Sequence, residues 1–216
     1  MTVSHHPDIT TLMAFSAGSL DEPYALVIST HLAMCEGCRA QLDRLDVIGG
    51  ALLAGVEEEP VSDDALDALL GRLDEAPAED PIRMQPRGAD VPAPLARYAP
   101  EGLDALPWKG RGGGVATCEL PVSPHAQSRL MLLRVGAGRA VPEHGHGGHE
   151  LTLILRGSYS DRFGRFGVGD IADHDQDVEH QPIAEMGEDC ICLIAVDAKL
   201  NFRSRLMKLL QPLVGI

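Results

Sequence analysis

Two groups of residues in this sequence have the types and spacing that metal chemistry needs. The first is His31-x3-Cys35-x2-Cys38. His31 and Cys35 are four residues apart and share one face of a helix, and Cys38 follows one turn later, after Glu36-Gly37. Two soft thiolates and an imidazole suit tetrahedral zinc. A closed structural site needs a fourth ligand, and His5 or His6 near the N-terminus supplies the candidate. The competing reading is a redox Cys-x-x-Cys pair, but that motif belongs after a strand in a βαβ context, and none surrounds it. Zinc would staple the first helix to the second and third, and oxidation of a thiolate would release it.

The second group is His144-x-His146-x3-Glu150, with His180 further along the chain. His144 and His146 are two apart, so in an extended strand both rings point to one face. Gly145, Gly147 and Gly148 let the backbone bend and bring Glu150 to the same centre. Three imidazoles and a carboxylate make a borderline site for zinc, iron, manganese, nickel or copper. His149 has the opposite strand parity and is set aside. His125, His174 and Cys118 have no partners at recognisable spacing and read as ordinary surface or core residues. Cys190 and Cys192 fall on one face of an apolar strand and read as buried thiols.

The elements that must position these groups fall into two halves. Asp8 caps a first helix, Asp21-Glu22-Pro23 opens a second, and Leu42, Leu45, Ile48, Leu52 and Val56 mark a third with a weak point at Gly49-Gly50. Ser62 opens a fourth, striped by Leu66, Leu69, Leu70 and Leu73. Four short helices in residues 1–75 make a marginal core by themselves. Residues 76–94, with five prolines, read as a semi-rigid linker. Residues 95–216 turn to short β-rich runs at 115–120, 129–135, 150–156, 158–163, 171–173 and 189–196, the spacing of a sandwich or barrel. Residues 201–210 read as a short outer helix. The fold class expected is therefore α+β in two domains, helical first and antiparallel β second.

Composition sets the class of partner. The chain of 216 residues carries a formal charge of −14 with 4% aromatics, which argues against direct nucleic-acid binding. The charge is uneven: residues 1–75 hold three Arg, no Lys and fourteen acidic residues. No stretch has the length of a membrane span, and the first basic side chain is Arg39, so no signal-peptide n-region is present and a cytoplasmic location is expected.

His6, His31, Cys35 and Cys38 resemble, position by position, the motif of the zinc-binding anti-sigma factors. That likeness implies a helical domain that wraps an extracytoplasmic-function sigma factor and keeps it from core RNA polymerase. Gly138-x5-His144-x-His146-x3-Glu150-x6-Gly157 fills every specified position of the first cupin motif. In the second cupin motif Gly169 and His180 are in register, while Asp175, Asp177 and Ala184 replace the usual Pro, Gly and Asn. The order of the two motif sets resembles the ChrR-type anti-sigma factors. This implies a jelly-roll cupin with a zinc or other divalent transition metal on His144, His146, Glu150 and His180. It also implies release of the sigma factor under singlet oxygen or related oxidants. The alternative is a metal-dependent cupin dioxygenase or isomerase with a regulatory helical domain.

Overall fold

The structure is a computed structural model that describes residues 3–73, 75, 91–145, 147–175 and 178–197, and the backbone of 201–202. The N-terminal half holds α1 (Ile9–Ser16), α2 (Glu22–Met34), α3 (Glu36–Leu53) and α4 (Ala65–Gly71). Asp8 is the expected N-cap of α1, its carboxylate accepting from the Thr10 amide at 2.8 Å. Pro23 sits in the first turn of α2, where its missing N–H costs nothing. The helix α3 runs straight through Gly49-Gly50, since two glycines weaken an exposed helix by about 1 kcal/mol each without breaking it.

The second half is built from β1 (Lys109–Gly112), β2 (Val115–Glu119), β3 (Arg129–Val135), β4 (His144–Gly145), β5 (Glu150–Arg156) and β6 (Ser158–Asp161). It continues through β7 (Gly164–Gly167), β8 (Ile171–His174), β9 (Glu179–His180), β10 (Ile183–Ala184), β11 (Cys190–Val196) and β12 (Asn201–Phe202). Every pairing is antiparallel. The main sheet has the order β1-β2-β3-β11-β5-β8, and two three-stranded sheets run β10-β6-β7 and β12-β4-β9. All six β-rich runs of the sequence contain a strand of this set. The expected helix at 201–210 is corrected at its start: Asn201 and Phe202 form a strand against β4, and 203–210 lie outside the described residues. A strand partner on β4 decides this, because two residues gain ladder hydrogen bonds there that an isolated helical turn lacks.

The central strands are buried on both faces, and parity sorts their side chains. Met131, Ile154, Cys190, Cys192, Ile194 and Val196 belong to the cluster inside the barrel. Leu130, Leu132, Leu151, Leu153, Ile191 and Leu193 point the other way, into a second cluster that also contains Leu12, Val27, Ile28 and Leu32 of α1 and α2. The outer face of the main sheet is therefore covered by the first two helices. A sheet face covered in this way has no use for polar alternation, which is why β5 and β11 read as nearly continuous apolar runs.

This arrangement changes the packing expected for the helices. Instead of a core shared by four of them, α1 and α2 pack on the sheet. Cys38 is the one buried residue of α3, and α4 has none. Leu42 and Leu45 are partly buried against the larger cluster, while Leu52, Leu53, Leu69 and Leu73 are 61–73% exposed.

Candidate metal centres

The first centre forms where α2 ends and α3 begins. Cys35 is the junction residue, and its Sγ accepts from the Cys38 amide at 3.4 Å, so a sulfur caps α3. His31 lies one turn back on α2, with Nε2 3.3 Å from Cys38 Sγ. The segment before α1 brings in His6, whose Nδ1 is 3.5 Å from Cys35 Sγ and 3.4 Å from Cys38 Sγ. All four ligand atoms lie within 4.8 Å of one another. Zinc bonds of about 2.3 Å to sulfur and about 2.0 Å to nitrogen place tetrahedral N and S about 3.5 Å apart. The donor set thus has the dimensions of a closed site, and it could hold a metal. His5 is placed elsewhere: its ring stacks on Phe166 at 4.1 Å and its Nδ1 is 3.4 Å from Asp170 Oδ2.

The electrostatics match that role. His31 Nδ1 donates to the Gly169 carbonyl at 2.9 Å, which fixes the tautomer and leaves the Nε2 lone pair facing the thiols. Burial, together with the nearby His6, lowers the His31 pKa to about 4, so the ring is neutral at physiological pH. Burial and the adjacent Cys35 push the Cys38 thiol up to about 12. A cation is what would draw that proton off.

The second centre lies inside the barrel. His144 on β4 and His180 on β9 are cross-strand partners, and both are buried. His144 Nδ1 donates to the Pro142 carbonyl at 2.8 Å, and His180 Nδ1 donates to Asp161 Oδ2 at 2.8 Å. Both Nε2 atoms then carry lone pairs, and they face each other at 3.2 Å. Two lone pairs at that distance repel unless a cation lies between them. Nitrogens bound at about 2.1 Å to one metal are about 3.0–3.4 Å apart. Glu150 is buried on β5, and Thr152 Oγ1 donates to its Oε1 at 2.9 Å. Burial and the neighbouring His144 lower the His180 pKa to about 4. His146 lies outside the described residues. A cavity of about 330 Å³ opens from this centre, lined by His144, Glu150 and His180 and by Cys190 and Cys192. Those two thiols are free, buried and 3.6 Å apart.

Two residues take on parts that spacing alone did not give them. His174 on β8 is buried directly across from Glu150, and it forms a group with Asp161 and His180. Its two-residue parity with Ala172 on a barrel-facing strand was the available signal. His149, set aside as a ligand, is a bridge between the halves. Its Nε2 is 2.6 Å from Asp173 Oδ1, which raises its pKa against burial. Its ring stacks on Tyr24 of α2 at 5.1 Å, and the Tyr24 hydroxyl donates to its carbonyl at 2.7 Å.

Comparison with known proteins agrees with both halves. Residues 102–199 match the family model described as the ChrR Cupin-like domain. The anti-sigma-E factor ChrR of Cereibacter sphaeroides is 44% identical over 221 aligned residues, covering 100% of both chains. A crystal structure of Rhodobacter sphaeroides SigE in complex with the anti-sigma ChrR contains a chain 41% identical to this one, with a TM-score of 0.78 over 91% of this chain and 100% of that one. An RmlC-like cupin protein of Ralstonia eutropha is 20% identical, with a TM-score of 0.42 over 48% of this chain and 71% of that one. With a helical half that gathers two His and two Cys, a cupin-like antiparallel half, and end-to-end identity to a curated member, this chain belongs to the ChrR family of anti-sigma factors.

Proposed function

We propose that this chain is an anti-sigma factor that captures an extracytoplasmic-function sigma factor with its helical half and releases it when the cupin half meets singlet oxygen or a related oxidant. The carrying observation is the end-to-end likeness to a relative named as an anti-sigma-E factor, a close counterpart of which is seen in complex with SigE. The exposed apolar faces of α3 and α4 support it. Leu52, Leu53, Leu66, Leu69 and Leu70 of these helices are at least 50% exposed, as is Leu73 just beyond α4, within residues 1–75, which hold fourteen acidic and three basic residues. Contiguous exposed apolar helix faces mark partner grooves, and acidic flanks speed encounter with a basic partner.

In this reading residues 1–75 form the inhibitory domain, 76–94 the linker and 95–216 the sensing cupin. Zinc sits on His6, His31, Cys35 and Cys38 and holds α1, α2 and α3 together. Zinc or another divalent transition metal sits on His144, His146, Glu150 and His180. The protein acts in the cytoplasm, without contact to nucleic acid or membrane, and without turnover. No helix among the described residues is long and apolar enough to cross a membrane. The second reading, a dioxygenase or isomerase, draws on the cavity beside the barrel histidines.

The test is co-purification and transcription. Full-length chain added to a sigma factor of this class should form a stoichiometric complex and block its transcription with core polymerase. Failure to bind any such sigma factor, with turnover of a diketone by the metal-loaded chain, would favour the enzyme instead.

A further inference from the structure

We propose that the barrel completes the metal site of the helical half. Gly169, Asp170 and Asp173 act as positioning residues for His31 and His6, so that metal occupancy and docking of the two halves form one coupled equilibrium. This rests on His6, His31, Cys35 and Cys38 being the ligands. The contacts are dense. His31 Nδ1 donates to the Gly169 carbonyl at 2.9 Å, so the partner that orients this ring comes from the opposite half of the chain. Asp170 Oδ1 accepts from the Ser4 amide at 2.6 Å and the His5 amide at 3.0 Å, and the Ile171 amide donates to the His5 carbonyl at 3.2 Å. Asp173 Oδ2 accepts from the Asp8 amide at 3.0 Å and the Thr11 hydroxyl at 2.7 Å. His6 lies between these anchors. Gly169 has φ of +90°, and a Cβ there would lie 2.8 Å from Val3 Cγ2, so the turn is shaped for close approach by the N-terminal segment.

The same strand reaches the other centre. On β8, His174 is paired with Glu150, and Asp173 holds His149, the residue before Glu150. A change at the barrel centre that moves β5 against β8 therefore moves the residues that aim His6 and His31. Coupling of this kind is reciprocal: docking tightens metal binding by the factor that metal tightens docking.

The test uses full-length chain loaded with Co(II). Thiolate-to-cobalt charge transfer reports the Cys35–Cys38 centre and is checked with Cys38→Ser. Groups that orient a metal's ligands are commonly worth ten- to hundred-fold in metal affinity, and Asp170 anchors the segment that aims His6, so Asp170→Ala should lose the band to a chelator about ten-fold faster. Asp170→Asn, which keeps an acceptor oxygen, should recover most of that loss. If Asp170→Ala does not fold, Thr11→Val takes its place, with a loss rate several-fold above wild type. Equal loss rates in wild type and variants, with the band intact, overturn the coupling alone. Absence of the band in wild type, or its survival in Cys38→Ser, overturns the ligand assignment on which it rests.

From a separate observation, we infer that the barrel cavity takes a small, mainly apolar molecule with one acceptor oxygen, of the aliphatic ketone, aldehyde or ester class. Its walls include Met131, Leu133, Val135, Val141, Ile194 and Val196, and its volume is about 330 Å³, within the range of small-ligand pockets. Tyr159 lines it, is 4% exposed, and its hydroxyl has no hydrogen-bond partner among the described residues. Buried donors are nearly always satisfied, so an orphaned hydroxyl on an apolar cavity marks the place of an acceptor. Methyl pentyl ketone and n-hexane are the probes, with binding to metal-loaded full-length chain read by ligand-observed NMR. The ketone should bind wild type and bind Tyr159→Phe about five-fold more weakly, with hexane indifferent to the substitution. No ketone binding to wild type, or equal binding to both proteins, overturns the inference.

Discussion

At the scale of single residues, the two centres differ in what their protons do. His31 and His180 are held neutral by burial, each with a pKa lowered to about 4, so neither ring has to lose a proton to accept a metal at neutral pH. Cys38 is the opposite case. Its proton is held by burial and by Cys35, and a metal must displace it. Cys38→Ser should therefore remove one metal equivalent per chain and lower the melting temperature of the helical half, measured by metal analysis and circular dichroism. An unchanged metal content would remove Cys38 from the ligand set. The choice between His5 and His6 was open in the sequence, because adjacent residues have the same local pattern. The pairing of the N-terminal segment with Asp170 and Ile171 separates them, turning His5 to Phe166 and His6 to the thiols.

At the scale of elements, α3 and α4 carry apolar residues that the rest of the chain does not use. Leu69 is 61% exposed and Leu52 71% exposed, so replacing either by Glu leaves the core intact. Leu52→Glu and Leu69→Glu should each weaken sigma-factor binding at least ten-fold, read by calorimetry, while the melting temperature stays within a degree or two of wild type. Binding that survives both substitutions would move the docking surface elsewhere. Gly49 and Gly50 give a second check. Nothing approaches a Cβ at either position within 4 Å, so Gly50→Ala should stabilise α3 by about 0.5–1 kcal/mol in thermal unfolding. A loss of stability there would mean that α3 does not remain helical through this pair.

At the scale of the whole molecule, the junction between halves is acid-sensitive. Asp170 is buried, which opposes its ionisation, yet the amides of Gly167, Ser4 and His5 and the His5 side chain hold its pKa below 3.8. A carboxylate depressed in the folded state contributes stability that is complete above the ordinary Asp value and disappears as pH falls through the lowered one. Docking of the N-terminal segment should accordingly weaken below about pH 4, seen as a falling protection factor, relative to the intrinsic exchange rate at each pH, for the Ile171 amide that donates to the His5 carbonyl. Asp170→Asn should flatten that acid limb. An acid limb identical in the variant would assign it to other carboxylates, of which Asp173 is lowered in the same way despite its burial, by His149, the Asp8 amide and Thr11.

The sequence by itself determined the His31-x3-Cys35-x2-Cys38 spacing, the N-cap of α1, the positions of the main strands and the order of helices before strands, because each rests on local spacing: four residues per helical face and two per strand face. Only the tertiary structure decided that α1 and α2 cover the outer face of the main sheet, that His149 and His174 belong to the region of the barrel centre, and that Gly169 orients His31. Those contacts join residues 24 to 138 positions apart, and apart from the strand parity of His174 local periodicity does not specify them. The apolar runs of β5 and β11 carried a trace of this cover, since strands without a polar face need burial on both sides, but the element that supplies it is set by packing.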